Sequence, residues 1–540
     1  MASNKMLSVA LDFGTSYSGY AFSFYHDKEK IFTSKWPGND YCIKAPTSIL
    51  FNPDMQFDSF GFEAEDKYAE LSEDGTHIYW YLFKWFKLVL IKKKKLSRNT
   101  VIRDVTGKEM LAMDVISAGI QFLNDKMLQD LHHFPIIRYT DIQWVLTVPA
   151  IWDDAAKQFM RLAAIKAGIR NESLTLVLEP DAAAMSNSCS SIFAVGEKYM
   201  ILDCGGGTID VAIMKKNSRG SVESVYKPTG GVWGGTKVDD AFLEFLITHF
   251  GLDRFQLMEK NDVLQVQRSF ETAKKKAQKP DARKVAIWLP LTLREDIDHL
   301  PISKNIRGDK LILSSNEIVS FFQKPVSCIV SHLQKIVTDP DVYGLSYITM
   351  VGGFSESEIL QSVIRSSFPT IEVLVAEDPS SAVLKGAVVL GHNPKVIESK
   401  RSAYTYGIKV ITGFIDNNHD FSKLTVIDGQ FQYKDVFDKV MGINEIIKIN
   451  ETKVERMYCP AYFGQKEGSI AIYRSKSFNP RYVTDPGCEQ IGHLRVNMPD
   501  LTGEKDRQVQ VTVYFGKTEL YAEAVDRTTG TKYAASFEFL

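Results

Sequence analysis

Two clusters of acid and glycine carry the residues best suited to hold a phosphate. In YMILDCGGGTIDVAI, residues 199–213, the apolar Met200, Ile201 and Leu202 lead into Asp203, then Gly205, Gly206, Gly207 and Thr208, then the alternating run Ile209, Asp210, Val211, Ala212, Ile213. Consecutive glycines aim bare backbone N–H groups at one point, because no Cβ blocks approach, and such a nest fits a phosphate. An aspartate ending a buried strand beside it can hold a magnesium ion through water. The plain alternative is a β-hairpin with a flexible tip. LSVALDFGTSYSGYAF, residues 7–22, repeats the pattern with Val9 to Leu11, Asp12, Gly14, Thr15 and Ser16, followed by Tyr20, Phe22 and Phe24. Asp12 and Asp203 stand too far apart for a solenoid repeat, but the separation suits two similar domains facing each other across one triphosphate.

The elements that must position these groups follow from local pattern. Each acid ends a short apolar run and each glycine turn precedes an alternating run, which predicts two strands joined tightly. Residues 25–77 read as loops and short strands, with turns at 37–40 and 52–54. YWYLFKWFKLVLIKKKK, residues 79–95, reads as an amphipathic helix packed by its aromatic face with a solvated basic end. Two functional readings stand beside that one: contact of Lys92, Lys93, Lys94 and Lys95 with an anionic membrane surface, and a phosphate-facing lysine at Lys84. A helix is expected over 109–131, a buried strand over 142–148, and a second helix opened by Asp153 and Asp154 and ending near Ala167. The strand 174–178 presents Glu179 at its end, either as a group orienting water near a metal or as a surface cap of the Ala-rich helix that follows. Asp210 is either the outward face of its strand or a carboxylate turned into the cleft.

Further along, Gly234 and Gly235 form a turn that lets backbone approach a ligand, ahead of a helix whose opening carries Asp239. In the helix 262–279, Glu271, Lys274 and Gln278 fall at i, i+3 and i+7 on one face. YITMVGGFSESEIL, residues 347–360, reads as strand, Gly352–Gly353 turn and helix, with Ser355 and Glu358 at capping-box spacing. Asp378 is expected as an N-cap with Pro379 at the first helical position. Polar residues 395–405 read as a linker. The chain is strand-rich from Tyr404 onward, as at 469–473, 509–514 and 520–525.

Bulk properties narrow the function classes. The 540 residues are 44% hydrophobic, enough for several domains with real cores. With 64 basic and 66 acidic residues the net charge is −2, which offers no global attraction for nucleic acid. Six scattered cysteines lack metal-ligand spacing and suit a reducing compartment. The N-terminus lacks a signal-peptide pattern, and no apolar run reaches the roughly 20 residues a membrane span needs, so a soluble protein is expected.

The paired hairpins resemble the phosphate-1 and phosphate-2 loops of the actin, sugar-kinase and 70-kDa heat-shock protein superfamily. VPAIWDDAAKQFMRLAAIKAGI, residues 148–169, and LEPDAAA, residues 178–184, are similar to the heat-shock branch. Phe13-Gly14-Thr15 followed by Tyr20-Ala21-Phe22-Ser23-Phe24 is similar to its atypical member-12 subfamily. The resemblance runs from about residue 6 to about residue 395. It implies an α/β fold: an actin-like bilobed ATPase domain over 1–394, built of two ribonuclease-H-like halves (about 1–195 and about 196–375). The linker 395–405 and a reduced β-rich, substrate-binding-like domain over 406–540 then follow. It also implies ATP or ADP and Mg2+ as ligands. Gly14, Thr15, Ser16, Gly205, Gly206 and Gly207 would cradle phosphates, and Asp12 and Asp203 would hold hydrated magnesium. Lys84, Glu179, Asp210 and Thr208 would act on the γ-phosphate and the attacking water. Gly234, Gly235, Glu271, Lys274, Gln278, Gly352, Gly353 and Asp378 would serve the rest of the nucleotide.

The chain departs from the pattern in four places. Asp181 stands where typical members have threonine, Gln278 replaces a serine, the acidic leucine-rich linker is absent, and the helical lid is missing. Three functions compete: a slow, chaperone-like ATPase switch of the cytoplasm with a protein client and co-chaperones, an ATP-binding scaffold without turnover, and a sugar-kinase relative. The last lacks a convincing carboxylate base beside a sugar pocket.

Overall fold

The computed structural model describes residues 5–36, 42–92, 96–134, 137–186, 189, 192–277, 284–413, 420–449, 451–499, 502, 506–516, 518–535 and 540. Each acid–glycine hairpin lies inside its own sheet. In the first, Leu174–Leu178, Ile142–Val148 and Leu7–Phe13 run parallel, Tyr17–Phe24 returns antiparallel, and Asp27–Thr33 follows at the edge. In the second, Glu372–Val375, Leu345–Val351 and Lys198–Cys204 run parallel, Ile209–Lys216 returns antiparallel, and Val222–Ser224 follows. The two sheets thus repeat one strand order around their acid-bearing strands. Leu7–Phe13 is buried at every position, as expected of a strand covered on both faces, where apolar residues run on without alternation.

Among the described residues, three large cores and a small one around Leu50, Tyr68 and Leu82 hold this part of the chain. Of the large ones, one packs the first sheet, another the second, and the third lies under the helix Ala382–His392 and takes residues from both. Fully buried Trp144, Phe159 and Phe242 each stabilise the fold by roughly 2–3 kcal/mol of transfer free energy. The helix Asp154–Lys166 forms as its sequence dictates: Asp153 caps it by accepting from the Ala156 amide, and Phe159, Met160, Ala163 and Ala164 line its buried face.

Beyond it, Ile397–Arg401 joins the second sheet, parallel to Val222–Ser224 and antiparallel to Ile446–Lys448. Residues of the segment expected as a linker are therefore paired in a sheet. A five-stranded and a four-stranded antiparallel sheet follow, sharing a core that includes Ile408, Ile472, Leu494, Val511 and Ala524.

Several local expectations need correction. Residues 79–95 are not one helix: Tyr81–Lys84 is a strand paired with Ser48–Phe51, followed by a 3-10 turn at Phe86–Leu88 and a short helix, Val89–Lys92. Aromatic residues lose side-chain freedom in a helix and pack well on a pleated surface. Trp85, at φ 52°, then turns the chain. The basic run at 93–95, the turn at 37–40 and Gln278 lie outside the described residues, as does the Lys92 side chain. The 25–77 stretch contains a helix, Phe62–Glu73. Ser357, not Ser355, caps Glu358–Ser367, because Ser355 is turned back onto the Gly352 carbonyl. Asp378 is not an N-cap: the helix starts only at Ala382, and the Asp378 carboxylate binds Ser380, Ser381 and Lys385 instead. Among the described residues no helix is long and apolar enough to cross a membrane.

Candidate functional site

The two glycine turns meet. A Cβ at Gly206 would stand 2.1 Å from Ser16 Oγ, and one at Gly207 would stand 2.6 Å from Thr15 Oγ1. Only glycine permits that approach. The second turn is closed by the Gly205 amide donating to the Thr208 carbonyl at 3.0 Å. It is also clasped from outside, where the amides of Gly235 and Thr236 donate to the carbonyls of Gly205 and Gly206 at 3.0 and 2.8 Å. Thr47 holds the first turn, its amide donating to Ser16 O at 2.8 Å and its hydroxyl to Gly14 O at 2.9 Å.

Three buried carboxylates and the partly buried Glu179 surround these turns. Asp12 accepts from Thr147 Oγ1 at 2.8 Å and pairs with Lys44 Nζ at 2.6 Å. Burial pushes the Asp12 carboxyl up, but Lys44 outweighs it and leaves the group below its ordinary range. Asp203, opposite Asp210 in the hairpin register, has Gly352 so close that a Cβ there would stand 2.3 Å from its Oδ1. Burial, with Asp210 and Asp12 adding to it, raises Asp203 to about 7. Asp210 is turned inward: it is 1% exposed and accepts from the Ile151 amide at 3.0 Å, across from the strand that carries it. Burial raises it to about 6 against the hydrogen bond from Thr208. Glu179 is pushed well up by burial, with Asp210 adding to the shift and Lys87 opposing it.

Lys87 is the lysine that reaches this group. Its ammonium lies 3.5 Å from Glu179 Oε1 and 4.8 Å from the Trp152 ring centroid, with the side chain 2% exposed. Lys84, the lysine expected at this place, lies elsewhere. Lys84 ends a strand and pairs with Glu65 at 2.7 Å, where Arg268 also binds. Lys44 and Lys87 both escaped the sequence reading. The only signal for Lys87 was a second lysine in FKWFK, and Lys44 carried none.

Four carboxylates against two ammonium groups leave excess negative charge in a buried place. A hydrated divalent cation would relieve it, so the donor chemistry fits magnesium. Among the described residues no group of three or more His, Cys, Asp or Glu side chains is arranged to hold a metal ion directly. Around the remainder of the site, Lys274 pairs with Asp239 at 2.7 Å and with Glu271, and its ammonium lies 3.5 Å from the Gly235 carbonyl. Gly353 is open, with nothing within 4 Å of a built Cβ. Asp378 is held by Lys385 at 2.8 Å. Burial raises Asp181 to about 6, against the opposing charges of Lys400 and Lys157.

A family profile described as Hsp70 protein matches residues 88–403. The chain is 30% identical over 623 residues to heat shock 70 kDa protein 12A of Mus musculus, covering 99% of this chain and 92% of that protein. It is 31% identical over 624 residues to heat shock 70 kDa protein 12B of Homo sapiens, covering 98% and 91%. Over 250 residues it is 28% identical to the chaperone protein DnaK of Elusimicrobium minutum, covering 45% of this chain and 38% of that protein.

Proposed function

This chain belongs to the Hsp70 family, in its atypical member-12 branch, and from that premise we propose that it is an ATP-binding molecular switch that hydrolyses ATP slowly to control its hold on a protein client. The observation that carries the reading is the meeting of two glycine turns beside four carboxylates, three of them buried, and Lys87. Backbone N–H groups of Gly14 to Ser16 and Gly205 to Gly207 cradle the phosphates, with Thr208 at the terminal one. Asp12 and Asp203 would hold magnesium through water, and the ion when bound would supply charge neutralisation at the phosphates. Lys87, Glu179 and Asp210 orient the attacking water; the lysine's ammonium holds Glu179 in place, and the Ile151 amide holds Asp210. Glu271, Lys274, Gly234, Gly235, Gly352 and Gly353 serve the nucleoside, with Asp378 bracing the neighbouring turn.

In this reading residues 1–394 form an actin-like bilobed domain of two ribonuclease-H-like halves. Residues 395–405 connect it to a β-rich client domain over 406–540, and the protein works in the cytoplasm with co-chaperones in stress responses. The repeated strand order of the two sheets supports the halves. Contacts between the C-terminal sheets and the helix Asp154–Lys166 support communication with the client domain. The test is MgATP binding and single-turnover phosphate release by the full chain beside Asp203→Ala. Slow release in the wild type and loss of binding or release in the variant uphold the switch. Tight binding with no phosphate released makes the chain an ATP-binding scaffold, and absence of binding overturns the nucleotide site.

A further inference from the structure

Lys44 is set into the phosphate site by its own backbone. Its Nζ lies 2.6 Å from Asp12 Oδ2, and the two side chains are 16% and 7% exposed. The segment around it is tied down on both sides. Ser34 Oγ donates to the Ile43 carbonyl at 2.5 Å, and Ala45 and Pro46 pair with Ser18 and Tyr17. The lysine stem lies along bare backbone, since a Cβ at Gly19 would stand 3.1 Å from Lys44 Cγ. One residue beyond that pairing, Thr47 binds the Gly14 and Ser16 carbonyls of the first turn. Ammonium, carboxylate and turn thus form one braced unit.

An ammonium has three N–H donors, and a single carboxylate oxygen does not use them all. Lys44 also differs from Lys87, which is nearly sealed against Trp152 and Glu179. Lys44 keeps some exposure beside the first glycine turn, where phosphate oxygens are expected. Without it, a metal-free triphosphate would enter a site lined by ionised carboxylate and be repelled.

Building on the nucleotide-site reading, we infer that Lys44 is a resident cation of the phosphate pocket: it neutralises Asp12 and donates to the triphosphate, so that ATP binds without a metal ion supplying all the positive charge. The experiment titrates the full chain with ATP in excess Mg2+ and again in EDTA, following binding by calorimetry, for wild type, Lys44→Met and Lys44→Arg. Unfolding temperature without nucleotide reports whether each variant is folded. Wild type binds ATP in both conditions. Lys44→Met weakens metal-free binding by about tenfold or more, and MgATP binding by clearly less, the scale of one charge-assisted hydrogen bond. Lys44→Arg, which keeps the charge if the methionine variant fails to fold, retains metal-free binding. Wild-type binding that requires Mg2+ overturns the inference and leaves the nucleotide site standing, as does an equal loss in both conditions for a folded Lys44→Met. Failure of wild type to bind MgATP removes the underlying reading as well.

Discussion

Arg474, in a strand of the C-terminal sheets, places a guanidinium nitrogen 3.4 Å from a carboxylate oxygen of Asp154, at the start of the helix Asp154–Lys166. The same guanidinium binds Glu489 at 2.9 Å and lies over the Tyr404 ring, 4.8 Å from its centroid. Nearby, Arg161 of that helix grips Glu519, and Thr518 Oγ1 donates to the Leu176 carbonyl at 2.7 Å. The strand ending at Leu178 delivers Glu179, so this contact abuts the element that carries a site residue. Arg474 and Asp154 are largely covered while Glu489 is exposed, so removing the arginine leaves Asp154 uncompensated. Arg474→Met is expected to lower stability by about 2 kcal/mol in urea unfolding, whereas Lys476→Met, at an exposed neighbour, changes it little.

Lys87 and Lys84 separate chemistry from scaffold. Lys87→Ala should cut single-turnover phosphate release by about a hundredfold or more while ATP affinity stays within a few-fold, as expected for a group acting near the reacting atoms. Lys84→Ala frees Glu65 from one of its partners and leaves Arg268 in place. Because the Lys84 ammonium is held by Glu65 and not by a carboxylate of the site, phosphate release by this variant should stay within about threefold of wild type, while loss of a largely buried pair lowers stability. A larger loss at Lys84 than at Lys87 would return the role to the earlier lysine.

Glycine substitutions test the meeting of the turns. Gly206→Ala forces a Cβ against Ser16. It should lower both the unfolding temperature and nucleotide affinity, the latter by about tenfold or more. Gly353→Ala meets nothing in the structure, so its unfolding temperature should match wild type. If the nucleoside packs there, its affinity alone falls.

Stability of the nucleotide-free chain should depend on pH through Asp203. The folded group keeps its proton up to about 7, while an unfolded aspartate releases it near 3.9. Across that window the folded state binds more protons, so this group's contribution is full below about pH 4 and is lost as pH rises towards 7. Asp203→Asn should flatten the slope of stability between pH 5 and 7.5, measured by urea unfolding. An unchanged slope would remove Asp203 as the titrating group.

Asp181, in the helix that begins at Glu179, and Lys400, in the strand Ile397–Arg401, feel each other's charge. Burial lowers Lys400 to about 8 and raises Asp181 to about 6, so both are charged between those values. Asp181→Thr, which restores the residue typical of the family, removes one of the two carboxylates that favour the Lys400 ammonium, Asp154 being the other, and should cost about 1 kcal/mol at pH 7. Asp181→Thr with Lys400→Met should recover most of it. Failure of the second change to restore stability would show that the two positions are not coupled.

The sequence by itself determined what is local. An acid at the end of an apolar run, a glycine turn and an alternating return strand is a hairpin whatever surrounds it, so Asp12, Asp203 and both turns were legible, as were the strands 142–148 and 174–178 and the helix behind Asp153. Tertiary structure decided everything that depends on direction or on distant partners. The strand Tyr81–Lys84 forms because Ser48–Phe51 lies beside it, and the left-handed Trp85 then turns the chain so that Lys87 reaches Glu179 while Lys84 stays with Glu65. Lys44 finds Asp12 only because Ala45 and Pro46 pair with the strand beside it, and Arg474 finds Asp154 only once sheets distant in the chain are packed together. Charges separated so widely in sequence leave no periodic trace, because their pairing is a property of folded space: burial first makes an unpaired charge costly, and only then does the partner matter.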